Sequence, residues 1–198
     1  NILKGQVFVK KAGEAEWKSA FHGMQIQEGD AVKTEINTEA TLIFFDSAAS
    51  RLDSDTEILI TRLFLDEQRL TTFQARYEVK FGRIWARLIN LMDKESYFEV
   101  TAEDTVAAIR GTAVSIEVTK EEEQPSLPAV KSATATARRK MTISVSEGLV
   151  NIANSKSAGL TKIKAGEKVS AKLEKGKTPP EVKKLKEEPL MPAEAKTI

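Results

Sequence analysis

From Gln6 to about Leu173 the chain alternates apolar with polar residues, and glycine, aspartate and asparagine punctuate the runs. A two-residue period marks a strand with one buried face. Val7 and Val9 alternate with Gln6, Phe8 and Lys10, and Tyr77, Val79 and Phe81 keep the same step. Residues 97–101, 113–118, 141–145 and 149–152 extend the series. The apolar run 41–45, around Leu42 and Phe44, suits a strand covered on both faces. Ile58, Ile60, Leu63 and Leu65 lead to Asp66-Glu67-Gln68, which reads as a hairpin turn. Residues 84–92 have a spacing that fits a short buried helix nearly as well as a strand, and a strand is the reading adopted. The predicted fold is all-β: a sandwich, roll or solenoid-like arrangement of many short strands, with a polar carboxyl-terminal tail.

Two segments interrupt the pattern. Residues 121–140 hold Glu121-Glu122-Glu123, Pro125, Pro128 and Arg138-Arg139-Lys140, and they predict a long, polar, mobile loop with little apolar surface to offset its ordering entropy. From Glu174 onward come Pro179-Pro180, a Lys/Glu cluster, Pro189 and Pro192. That composition predicts a linker or docking arm, with a helical turn or two at 181–188. The expected organisation is one all-β domain over 1–173, carrying the loop 121–140, and a charged Pro/Lys/Glu-rich tail over 174–198. A faint echo runs through it. Gly5-Gln6-Val7 precedes Gly29-Asp30-x-Val32, and Gly148-Leu149-Val150 precedes Gly166-Glu167-x-Val169. Related β units at the two ends of the domain would produce it.

Composition narrows the chemistry. Lysine and arginine total 30 against 29 acidic residues, a formal charge of +1, so no overall field recruits nucleic acid or an anionic membrane. Cysteine is absent and His22 is the one histidine, which excludes disulfides, thiolate metal sites and a histidine pair within one chain. Phosphate-loop, dinucleotide and zinc-protease motifs are missing, so no catalytic, cofactor or metal residues are assigned. The apolar runs are too short to span a bilayer. Because the chain opens at Asn1 rather than methionine, an upstream segment is expected, which leaves room for a signal peptide or membrane anchor.

An ordered series of short motifs carries more information. Trp17 and Gly23 precede Glu28-Gly29-Asp30-Ala31-Val32-Lys33-Thr34, then Ala40-x-Leu42-x-Phe44-x-Asp46. Gly82-Arg83-Ile84-Trp85, Phe98-x-Val100-Thr101 and Val106-Ala107-Ala108-Ile109-Arg110-Gly111-Thr112 follow, then Glu147-Gly148-x-Val150 and Ala165-Gly166-Glu167. The series resembles the FecR domain over nearly everything from Gly5 to Val169, and Ile109-Arg110-Gly111-Thr112 is its most specific piece. The resemblance implies an all-β extracytoplasmic domain. In the best-known members it is the periplasmic part of a membrane regulator that relays a receptor signal to a sigma factor. The anti-sigma segment and membrane span of those regulators do not lie in these residues.

Residue by residue, structural roles are favoured. Gly29, Gly82, Gly111, Gly148 and Gly166 stand where the backbone bends, and Asp30 can cap its own turn before the strand at Val32 and Thr34. Gly111 permits a bend while Arg110 is expected to pair with a carboxylate or carbonyl oxygens beneath it, Thr112 completing the motif; a partner-binding signature is the sharper alternative. Asp53, Asp55 and Glu57 would share one strand face, an arrangement open to calcium but more commonly an acidic edge. Trp17, Phe81, Trp85 and Tyr97 read as sheet-packing residues before a sugar platform. Arg138-Arg139-Lys140 reads as solvated charge. The functional expectation is a non-catalytic binding or signal-relay module of the bacterial cell envelope, in the periplasm or at the cell surface. A sheet edge or the tail would engage another envelope protein by strand addition. A cell-wall or glycan-binding module is the alternative, and a carbohydrate-active enzyme stands behind it.

Overall fold

A computed structural model of the chain describes residues 1–69, 72–88, 93–120, 139–154, 157–173 and 183–185. All of its regular structure is strand. In chain order these are β1 (Ile2–Lys4), β2 (Val7–Lys10), β3 (Lys18–Ser19), β4 (Ala31–Thr34), β5 (Glu39–Phe44), β6 (Ala48–Leu52) and β7 (Glu57–Leu65). Then come β8 (Phe73–Leu88), β9 (Tyr97–Ala102), β10 (Thr105–Lys120), β11 (Arg139–Asn154), β12 (Ser157–Lys164), β13 (Lys168–Leu173) and β14 (Lys183–Leu185). No helix of the described residues is long and apolar enough to cross a membrane.

Three strands of 16 residues, β8, β10 and β11, organise the rest. Each has two halves with different neighbours. The first half of β8 pairs with β7 and, in parallel, with β9, whereas its second half pairs with β6 and the second half of β10. The first half of β10 lies between β9 and the second half of β11, which in turn carries β12. The first half of β11 lies between the second half of β10 and β13. The pairings therefore form two layers joined by three shared strands. The first runs β12-β11-β10-β9-β8-β7-β4-β2-β3, and the second runs β14-β13-β11-β10-β8-β6-β5-β1. The Phe44 ring in the second layer contacts Tyr77 at 5.8 Å and Phe98 at 5.4 Å in the first. The Ser50 and Tyr77 hydroxyls share a 2.7 Å hydrogen bond across the same gap. Burial pushes the Tyr77 phenol well above the ordinary tyrosine range, so it stays neutral and able to share that bond.

A strand that turns from one layer into the other must keep its apolar side on the core. Strict alternation would fail at the bend, and one extra residue corrects it. In β8 the inward residues are 73, 75, 77 and 79, then 84, 86 and 88; in β10 they are 107 and 109, then 114, 116 and 118. In β11 they are 141, 143 and 145, then 150 and 152. Each switch from odd to even falls at a glycine with positive φ: Gly82 (93°), Gly111 (56°) and Gly148 (75°). A Cβ added at Gly82 would stand 2.5 Å from Thr56 Cα and 2.6 Å from Asp55 O, and one at Gly148 would stand 2.5 Å from Gly111 O. Two of the three corners thus require glycine for space as well as for angle. A single apolar core runs from Val7 to Leu173.

The all-β reading holds, with local differences. Ile84 to Leu88 belong to β8, while 89–92 lie outside the described residues. Arg139 and Lys140, expected in a solvated loop, begin β11, and 121–138 lie outside the described residues. The Arg139 guanidinium donates to Lys80 O at 2.8 Å and pairs with Glu103, two acceptors remote in sequence. Within the tail, 183–185 form a strand on β13 where a helical turn was expected.

The internal echo has a structural counterpart. Gly29 N donates to Ile60 O and Ile60 N returns a bond to Asp30 O; Gly166 N donates to Val145 O and Val145 N returns one to Glu167 O. Asp30 and Glu167 each also accept, through the carboxylate, the amide three residues back, from Gln27 and Lys164. The two turns share one hydrogen-bond plan, and they lead into β4 in the first layer and β13 in the second.

Candidate binding site

Several of the sequence-selected residues meet at one turn. The chain between β6 and β7, residues 53–56, is held from three directions. Thr34 Oγ1 donates to Asp53 O at 2.7 Å and accepts Thr56 N at 2.9 Å. Thr56 Oγ1 donates to Arg83 O and accepts Arg83 N, directly beside Gly82. Trp85 Nε1 donates to Asp53 Oδ2 at 2.8 Å. Opposite Trp85 in the ladder stands Arg51, whose guanidinium lies 5.7 Å from the indole centroid and whose Nε lies 3.3 Å from Asp53 Oδ1. That Nε is buried without an acceptor in hydrogen-bonding geometry. Arg51, Asp53, Arg83 and Trp85 line an open cleft of about 890 Å³. Arg83 pairs at 2.8 Å with Glu117, which also lines it. These pairs join β6, β8 and β10 across the corner, while Lys4, Glu39 and Asp55 add further charge to the cleft.

The acidic trio does not form the expected strand face. Asp53 and Asp55 sit in the turn and only Glu57 lies on β7, because Asp55 takes a positive φ of 51° that breaks the alternation. Among the described residues no group of three or more His, Asp or Glu side chains converges as a metal site would require. His22 is an exposed turn residue. The aromatic set is dispersed. Trp17 lies under Lys10 and Lys33 near β2, Tyr97 under Arg76 on β9, and only Phe81 and Trp85 line the cleft, where Arg51 covers the Trp85 ring.

Asp30 is 1% exposed and accepts Ala12 N at 3.0 Å, Gln27 N at 2.8 Å and Lys11 Nζ at 2.6 Å. Burial alone would push its carboxyl up, but Lys11 and the two amides outweigh it and hold the group below the ordinary aspartate range. At the second corner Thr112 is buried and Ser146 Oγ donates to Ala113 O at 2.7 Å. Arg110 differs from expectation. It is exposed, and no carboxylate or carbonyl among the described residues pairs with it, because the bend at Gly111 turns it to the outside of the first layer.

That outer surface was not singled out from sequence. Register places Arg110, Leu149 and Lys164 in one row across β10, β11 and β12, Ala108, Asn151 and Lys162 in the next, and Val106, Ala153 and Leu160 in the third. Every one of these points away from the core. Lys162, Lys164 and Leu160 are exposed, the last at 59%. Among the described residues β12 pairs with β11 alone, and on its other edge the Lys164 amide is taken by the Glu167 carboxylate while no described strand pairs with the rest. The sequence signal is Leu160-Thr161-Lys162-Ile163-Lys164, an alternation with one buried position.

The family model described as FecR protein matches residues 30–151, from the Asp30 turn through the Gly148 corner. Two crystal structures of a candidate anti-sigma factor from Parabacteroides distasonis ATCC 8503, at 2.50 Å and 1.65 Å, share the fold. Each aligns with a TM-score of 0.54 at 15% identity over 79% of this chain. This chain spans 59% of theirs, and at that identity the likeness speaks to architecture alone. No curated protein matches the chain.

Proposed function

The chain belongs to the FecR protein family, and from that premise we propose that it is a non-catalytic module that works outside the cytoplasm. It binds another envelope protein and relays that contact, as a sigma-factor regulator would. The observation that carries the reading is the β12 edge, a strand of eight residues paired on one side only among the described residues. An extended segment of a partner can continue the ladder there, gaining main-chain hydrogen bonds in the manner of strand addition. The relay has a physical route. A strand laid on β12 bears on β11, and β11 belongs to both layers. The glycan alternative has less support, since Arg51 covers the Trp85 ring and the remaining aromatics are dispersed.

A photoreactive residue at position 160, introduced into the intact protein in its own cells, tests the reading. The expected product is a cross-link to a protein exposed outside the cytoplasm, absent when the same residue stands at position 36. Capture of wall polymer instead would favour the glycan-binding module and defeat the relay.

A further inference from the structure

Over most of the first layer's outer surface, cations are answered by carboxylates. Arg76 meets Glu99 at 2.5 Å, Lys80 meets Glu78 at 2.7 Å and Arg62 meets Glu28 at 3.6 Å. The end at β12 departs from this pattern. Arg110, Lys162 and Lys164 have no side-chain hydrogen bond or ion pair among the described residues, and the positions between them are Leu149, Asn151 and Ala108. Neighbouring strands lie about 4.8 Å apart, so Arg110 and Lys164, two strands apart in one row, sit within about 10 Å. Like charges gathered at that spacing disfavour the free surface slightly and favour an anionic neighbour. Leu149 and Leu160 add apolar contact beside the charges.

We infer that the β12 edge takes an extended segment of a partner protein carrying carboxylates at alternate positions, a deepening that rests on the strand-addition reading above. Strand period supplies the geometry. A segment hydrogen-bonded along β12 sends every second side chain to the outer face, where each carboxylate lands beside Lys162 or Lys164. Its other side chains continue the apolar layer marked by Ile163, which is fully buried. A second copy of this chain is a poor occupant. Antiparallel pairing of β12 with itself about Lys162 would set lysine against lysine, and like charges directly opposite are unfavourable. The site therefore selects a different, acidic chain.

The test uses the full chain and three soluble ten-residue peptides that alternate valine with glutamate, serine or lysine. Amide hydrogen exchange locates binding, and fluorescence anisotropy measures affinity. The glutamate peptide is expected to slow exchange along β12 and to bind at least tenfold more tightly than the serine peptide. The double variant Lys162→Glu, Lys164→Glu is expected to lose that advantage and to prefer the lysine peptide. Equal protection of β12 by all three peptides would leave strand addition standing and overturn the carboxylate inference. Protection by none would overturn both. Exchange at β12 that is already slow without peptide, accompanied by a dimer in sedimentation, would assign the edge to a second copy and overturn the inference as well.

Discussion

The Gly82 corner and the β12 edge treat their polar groups in opposite ways. Around residues 53–56 the polar groups answer one another: Thr34, Thr56, Arg83 and Trp85 all close bonds within 3.1 Å. Asp53 belongs to the same knot, and Arg51 lies against it at 3.3 Å although its Nε closes no hydrogen bond. At β12, among the described residues, the side chains of the lysines and Arg110 and most of one strand edge have no partner. A closed network fixes a shape, because each member is costly to strip of its partner. An open edge contributes little to stability and holds its bonding capacity for another chain. The family model covers the first region and reaches Arg110 and Asn151 in the second, while β12 itself lies beyond the residues it matches.

The largest contrast is expected at the glycine corners. Gly82→Ala adds a methyl group against backbone at a φ of 93° and is expected to cost more than about 3 kcal/mol in urea denaturation. Gly148→Ala should come next. Gly111→Ala meets no atom within 4 Å and suffers the backbone angle alone, with an expected loss of about 1 kcal/mol. Equal losses at all three would mean that the angle, not the close approach, sets the corners.

Asp30→Asn is expected to cost about 2 kcal/mol at neutral pH, since a buried carboxylate loses its bond to Lys11 and part of its bonds to two amides. The folded pKa is depressed, so this stabilisation is fully present above the ordinary aspartate value of 3.8 and is lost as the pH falls through the lower folded value. Denaturation of the two proteins at a series of pH values should therefore show the difference shrinking below about pH 4. A difference that instead grew in acid would contradict the depressed carboxyl.

Trp85→Phe keeps the ring under Arg51 and removes the donor to Asp53, for an expected loss of about 1–2 kcal/mol by thermal denaturation. The smallest effects belong to the open edge. Arg110→Ala and Lys162→Ala should change stability by less than about 0.5 kcal/mol, since both are exposed and have no partner among the described residues. A loss above 1 kcal/mol at either would make it part of the architecture and weaken its assignment to a partner.

Much of the closed region was legible in the sequence and little of the open one. Alternation identified parts of β8, β10 and β11 as separate short strands without showing that each continues through its glycine corner, and glycine-acid pairs marked the turns at 29–30 and 166–167, because both signals are local. The role of Asp53 was not legible. Its partner Trp85 stands 32 residues away, and the regular spacing of Asp53, Asp55 and Glu57 imitated a strand face until Asp55 adopted a positive φ. Arg139 was hidden in the same way, by a carbonyl 59 residues distant. β12 was missed because it opens with Ser157-Ala158-Gly159, small residues that carry no apolar period, and only the step from Leu160 to Lys164 betrays it. Gly111 stood out as a bend, yet nothing local could show that the bend leaves Arg110 outside.

Amide hydrogen exchange of the free, full-length chain, resolved residue by residue, tests most directly whether β12 is an open docking edge. Alternate amides of Ser157–Lys164 face away from β11, and of these only Lys164, bonded to the Glu167 carboxylate, is set aside. The others are expected to exchange near the unprotected rate, while amides of Val100 and Ile109, between paired strands in the first layer, exchange only on global opening. Uniform protection along β12 in the free protein, matching that of Val100 and Ile109, would mean that the edge is already filled, and the strand-addition reading would fail.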